Sequence, residues 1–241
     1  MRWKVLLLIP ILNLLSFSNS MAGQIRWSIG GNFIFSSIKL TDFSDTTTTL
    51  SSLQSFNGTS AVDLKLGFGN SPNYLVFGAY GIYQLTTYDV SLFPNISSSA
   101  FASLGYGGEL GIKLGPIKLF GFAQVQELYI LTQTDDFNLT KTEVTEFGGR
   151  MDLNLIHRFN LDILLKGKYA VIPAKNDVIS GSELGGGLYL EVGPSNRWVF
   201  GESIVRRTYS TAGGTITTQD LQFSINFVLY LSGSRGSKKG F

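Results

Sequence analysis

Phe159-Asn160-Leu161-Asp162-Ile163-Leu164-Leu165-Lys166-Gly167-Lys168-Tyr169-Ala170-Val171 alternates at period two. Phe159, Leu161, Ile163, Leu165, Gly167, Tyr169 and Val171 form one uncharged stripe, and Asp162, Lys166 and Lys168 all fall on the other. Successive side chains of a strand point to opposite faces, so this stretch predicts a strand with one apolar and one polar side.

The same alternation recurs nine times. The other uncharged stripes run from Ile25 to Phe35, Val62 to Phe68, Tyr74 to Ile82, Leu104 to Leu114, Ile117 to Val125, Thr145 to Leu155, Leu184 to Val192, Val199 to Val205 and Leu221 to Leu231. The opposite parity carries Arg26, Asp63, Lys65, Glu109, Lys113, Lys118, Glu146, Arg150, Asp152, Asp162, Lys166, Lys168, Glu183, Glu191, Glu202 and Arg206, eight of each sign, which predicts a charge-balanced inner face. The stripes from Tyr74 and from Leu221 have no charges opposite them, so their registers rest on hydrophobicity alone.

The connections alternate in length. Asn70–Asn73, Gly115–Pro116, Ile156–Arg158 and Gly193–Asn196 are short, and three contain proline, which suits tight turns. Thr41–Asn57, Thr86–Ala100, Thr132–Lys141, Ala174–Gly181 and Ser210–Gly214 read as the longer loops. An antiparallel meander places all the short turns at one end. Val76-Phe77-Gly78, Leu119-Phe120-Gly121 and Val199-Phe200-Gly201 share a pattern that, in one register, aims three phenylalanines inward near one rim, with Trp198 beside them.

Composition narrows the class. Of 241 residues, 15% are charged, against about 25% in ordinary soluble domains. There is no cysteine, which excludes disulfides, thiol chemistry and a lipid-modified N-terminal cysteine. A single histidine, His157, excludes a histidine-based metal cluster, and no cofactor is implied. The net charge of +2 lacks any basic tract, so nucleic acid is not an expected partner.

Residues 1–22 have the layout of a secretory signal. Arg2 and Lys4 precede an apolar run from Val5 to Leu15, and Ser20-Met21-Ala22 offers a cleavage site. The run is too short to span a bilayer, which takes about 20 apolar residues. The expected organisation is a signal at 1–22, a barrel at 23–231 and a polar tail at 232–241.

Alternation does not say which face is wet, since a soluble ligand-binding barrel alternates as well. Low charge, export, loop asymmetry and aromatic residues at stripe ends favour a membrane barrel. Those aromatics are Trp27, Tyr74, Phe159 and Tyr230 at the short-turn end, and Tyr129, Tyr169 and Tyr209 at the other. From Gln24 to Leu231 the chain resembles, by pattern, the small bacterial outer-membrane β-barrels of eight to ten strands. The resemblance implies a closed antiparallel up-and-down transmembrane β-barrel, ten strands here with eight as the alternative, located in the bacterial outer membrane. It also implies lipid, lipopolysaccharide and the barrel-assembly machinery as partners. Family members usually end on an aromatic strand terminus, whereas here Tyr230-Leu231 is followed by Ser232–Phe241.

The balanced inner face predicts a lumen filled by ion pairs, and hence a structural, surface-interaction or narrow-pore role without catalysis. The alternatives are an exported soluble barrel holding an apolar ligand and an outer-membrane hydrolase. The family's enzymes use histidine with acids, or serine, at sites opening outward or into the outer leaflet. His157 falls instead in a short turn, on the opposite side. An external ligand would meet loops 41–57 and 86–100.

Overall fold

The computed structural model describes residues 23–67, 73–91, 93, 96, 99–133, 137–158, 160–176, 178–193 and 196–232. The expected signal and nearly all of the expected tail lie outside these residues. Ten antiparallel strands follow in order: β1 (Gly23–Thr41), β2 (Thr47–Gly67), β3 (Tyr74–Tyr88), β4 (Ala100–Leu114), β5 (Ile117–Gln133), β6 (Phe137–Arg158), β7 (Leu161–Ile172), β8 (Val178–Val192), β9 (Arg197–Thr211) and β10 (Gly214–Ser232). Each pairs with its neighbours in sequence, and β1 pairs with β10 to close the barrel. The count is ten, not eight. Gly115 takes φ = 59°, which permits the two-residue turn of the β4–β5 hairpin, where Leu114 pairs with Ile117.

Eight of the ten stripes face outward as expected. Those of β3 and β9 are inverted. Val76 is 3% exposed and Phe77 is 42% exposed, while Val199 is 4% and Phe200 43%. Neither strand offered a decisive charge pattern. β3 has none, and β9 alternates Glu202 and Arg206 on one parity against Arg197 and Arg207 on the other. Pairing with β2 and β4, and with β8 and β10, fixes both registers. Of the four rim aromatics expected inside, only Phe120 is buried, and Phe77, Trp198 and Phe200 lie outside. Tyr74, Tyr209 and Tyr230 sit on the lumen parity, and Phe159 lies outside the described residues; among the described residues, Trp27 and Trp198, the latter packed on Phe227, are outward aromatics at the short-turn end.

The expected long loops are mostly strand. β1 runs to Thr41 and β2 begins at Thr47; β5 runs to Gln133 and β6 begins at Phe137. A membrane strand needs about 9–11 residues, whereas β1 has 19, β2 has 21 and β6 has 22. The excess stands above the bilayer as a tower, and there the polarity of the wall reverses. On β1 the outward series Ile29, Phe33, Phe35 continues as Ser37, Lys39 and Thr41, while Ile38 and Leu40 turn inward. On β10, Thr215 and Gln219 are exposed and Ile216 is buried.

The tower's interior is an apolar plug. Ile38, Leu40, Leu50, Ile130, Val144, Ile172, Val178 and Ile216 pack together with Tyr88 and Tyr209. Phe93 and Ile96, from the connection after β3, fold down into the same cluster. Below the plug the arrangement is the reverse, with Ile29, Leu110, Phe147, Leu188, Ile204 and Ile225 exposed outside and charges inside. A closed ladder with an apolar outer band is a lipid-spanning structure, because every backbone N–H must be paired within hydrocarbon. The soluble-barrel alternative is overturned, since its apolar stripes would have to face inward.

Candidate functional site

The lumen below the plug holds two tiers of charge. The outer tier gathers Glu146 from β6, Lys168 from β7, Glu183 from β8, Arg207 from β9 and Asp220 from β10. Glu183 is 1% exposed and receives Lys168 at 2.5 Å and Arg207 at 2.6 Å. Glu146, fully buried, lies 3.9 Å from Lys168 and 3.8 Å from Arg207 and accepts the Gln124 amide. Arg207 also donates to Asp220 at 2.9 Å, and the Ser36 hydroxyl donates to the other oxygen of Asp220 at 2.5 Å. Three carboxylates thus share two cations. Like-charge repulsion between Glu146 and Glu183 is tolerated because Arg207 lies between them.

The inner tier lies toward the short-turn end. Arg26 reaches Asp63 at 3.2 Å and Glu191 at 3.9 Å. Arg197 pairs with Asp162 and stands 3.5 Å from Glu191. On the facing wall Arg150 bridges Glu109 at 2.8 Å and Asp152 at 3.0 Å and stacks on Phe120. Three lysines rest on aromatic rings: Lys65 on Tyr74 and Tyr230, Lys113 on Tyr74, and Lys166 on Tyr189. Lys118 sits opposite Asp152 in the ladder. Stacking of this kind attracts each ammonium to the face of a ring.

The expected inner set is therefore brought together, with two exceptions. Glu202 and Arg206 point outward, because β9 takes the opposite register. Glu202 stands within the apolar band between Phe200 and Ile204, and Arg206 stands nearer the outer edge, opposite Gln219. Arg197, Arg207 and Asp220, which the sequence reading left out, take part in the networks instead. The detectable signal was their ladder position. In register with β10 and β8, Arg207 stands opposite Thr218 and Glu183. The expected turn at Ile156–Arg158 is instead the end of β6: His157 is its penultimate residue, in the ladder opposite Asp162, largely exposed at the short-turn end with Nδ1 2.5 Å from the Asp162 carboxylate. In the outer connection, the hydroxyl and backbone N–H of Ser91 hold the Asp89 carboxyl below its ordinary range.

No family model matches the chain, and no curated protein matches it in sequence. Solved structures do resemble it. The outer-membrane protease OmpT of Escherichia coli aligns over 89% of this chain and 99% of its own, at 10% identity and a TM-score of 0.49. The β-domain of the Bordetella autotransporter BrkA aligns over 87% and 100%, at 8% and 0.45. The translocator domain of the autotransporter NalP of Neisseria meningitidis aligns over 93% and 95%, at 10% and 0.39. No residue role passes to this chain at such identities. Its own apolar outer band, closed ladder and charged interior are those of a closed antiparallel β-barrel built to span a membrane with its strands.

Proposed function

We propose that the protein is a closed, non-conducting and non-catalytic outer-membrane barrel whose tower is its working surface. The observation that carries this reading is the plug. Buried Ile38, Leu40, Leu50, Ile130, Val144 and Ile216 fill the outer half of the lumen, where water or an ion would have to pass. Beneath them the two charge tiers cross the lumen with ion pairs between strands. Narrow eight- to ten-strand barrels are filled by side chains, unlike the wide barrels of 16 or more strands.

The non-catalytic reading is supported by the position of His157. It shares Asp162 with Arg197 at the end remote from the tower, and an imidazole there has no outward-opening cleft. On the outer wall, Arg206 and Lys39 are exposed toward the headgroup level, where lipopolysaccharide phosphates are the natural counter-charges. The assembly machinery is the partner during insertion. The connection at 42–46 and the exposed residues Asp89, Ser91 and Ser99 are the surfaces offered to an external ligand.

Planar-bilayer recording tests the proposal. The purified barrel should give no conductance steps at either polarity. Frequent, stable, ion-selective steps would show that the plug does not close the bore.

A further inference from the structure

The inner tier has more cations than acids. Its three arginines hold all five of its carboxylates: Arg26 holds Asp63 and Glu191, Arg150 holds Glu109 and Asp152, and Arg197 holds Asp162. Lys65, Lys113, Lys118 and Lys166 form no ion pair among the described residues. With His157 neutral, the tier sets seven cations against five carboxylates. Part of the excess is gathered at one place. Lys65 is the third residue from the end of β2, Lys113 is next to last in β4 and Lys118 is second in β5, so all three stand at the short-turn mouth. Val62, Leu114 and Leu119, on the other parity of these strands, are exposed on the outer wall, so the lysines face the bore.

Tyr74, the first residue of β3, pairs with Lys113, and Lys113 pairs with Lys118, so one rung of the wall carries a ring and two ammonium groups. Like charges directly opposite each other destabilise a ladder. Lys65 and Lys113 lie 5.3 and 5.2 Å from the centre of the Tyr74 ring, which draws them to one spot. Lys118 has no hydrogen bond, ion pair or ring contact among the described residues. Asp152, opposite Lys118 in the ladder, is committed to Arg150 at 3.0 Å. Asp63, two residues before Lys65, is committed to Arg26 at 3.2 Å. The three lysines are half-buried, so solvent reaches them. A recess lined by one sign of charge, with low-dielectric walls, concentrates its field on whatever enters.

We infer that the β2–β5 arc of the short-turn mouth binds a free, multiply charged oxyanion of the phosphate class, held by Lys65, Lys113 and Lys118. Lysine is a compact point charge with three donors, and several lysines around one group suit a phosphate's spread of oxygens and charge. A single carboxylate would answer only one of the three ammonium groups. The arginines of the tier take no part, since each is already spent on carboxylates. The lysines face the bore and not the leaflet, so the anion comes from the aqueous side. The inference goes beyond the closed-barrel reading: an anion held at the mouth crosses nothing, and the site stands whether or not the bore conducts.

The test is isothermal titration calorimetry on the barrel folded in dodecyl maltoside, an uncharged detergent, at low salt. The probes are inorganic phosphate, pyrophosphate and acetate. Saturable binding of phosphate or pyrophosphate is expected, several-fold tighter than that of acetate. Lys113→Gln with Lys118→Gln should weaken it several-fold, and Lys113→Arg with Lys118→Arg should keep most of it. Lys175→Gln removes a cation paired with Glu143 on the tower, and should leave the affinity unchanged. No saturable binding of either phosphate probe, acetate bound as tightly, or an affinity untouched by the double glutamine variant overturns the inference. So does an equal loss in Lys175→Gln, which would mark a response to net charge alone. Heat-dependent migration in gels checks that each variant is folded. Should the double glutamine variant not fold, Lys65→Gln decides the matter, with a several-fold loss expected and unchanged affinity overturning the site.

Discussion

Arg207 holds the outer tier together, since Glu183, Asp220 and Glu146 all lie within 4 Å of its guanidinium. Removing one partner of a buried pair strands the other charge, at about 3–5 kcal/mol. Arg207→Met should therefore cost about that much in a folding titration in lipid vesicles. The two neighbouring glutamates should differ. Glu183 takes both cations at close range, whereas Glu146 stands nearly 4 Å from each. Glu183→Gln should destabilise clearly more than Glu146→Gln, and equal losses would show that the tier shares its charge evenly. Glu202 presents the opposite case, a carboxylate on the apolar outer wall. Glu202→Leu should raise stability in the same titration, by about 1 kcal/mol, because it removes a charge from acyl chains. A loss instead would reveal a partner for Glu202 within the bilayer.

At the scale of the strand, one register error exchanges the whole inner and outer sets. β9 is the decisive case, because its sequence places charges on both parities. The ladder with β8 and β10 puts Ile204 outside and Val205 inside. Ile204→Arg should cost roughly 2–4 kcal/mol in lipid-vesicle folding, the range for a cation near the bilayer midplane. Val205→Arg, facing the lumen, should cost less, overpacking included. A larger penalty at Val205 would restore the register that the uncharged stripe from Val199 suggests. The tower strands were hidden for a related reason. Segments such as Thr46-Thr47-Thr48-Thr49 read as polar loop, although threonine is a good strand former. Alternation does continue through them with its polarity reversed, as in Ser37-Ile38-Lys39-Leu40-Thr41, and a search for apolar outer stripes passes over it.

The whole molecule combines two barrels of opposite sense in one ladder. The lower part has lipid outside and charge inside, and the upper part has water outside and a dry core. The two should yield separately. Leu40 stands opposite Ile216 in the β1–β10 pair, and both are buried in the plug. Large-to-small changes in such a core cost about 2–5 kcal/mol each. Leu40→Ala with Ile216→Ala should expose the tower to limited proteolysis while the membrane part stays protected and resistant to detergent below boiling. Uniform cleavage down to the short-turn end would show that the two parts fold as one unit.

The sequence by itself determined the strand count, the antiparallel meander, the outward apolar stripes of eight strands and a charge-bearing lumen. These follow from period-two alternation, which is local: a residue's parity relative to its neighbours is written in the chain. The tertiary structure decided the registers of β3 and β9, the outward turn of Glu202 and Arg206, and the entry of Arg197, Arg207 and Asp220 into the ion-pair tiers. It also decided the plug and the early end of the β4–β5 ladder at the Gly105–Gln126 pair. Each of these depends on which residue of a neighbouring strand stands opposite. That pairing is set by hydrogen bonding around the closed ring, so no single segment contains it.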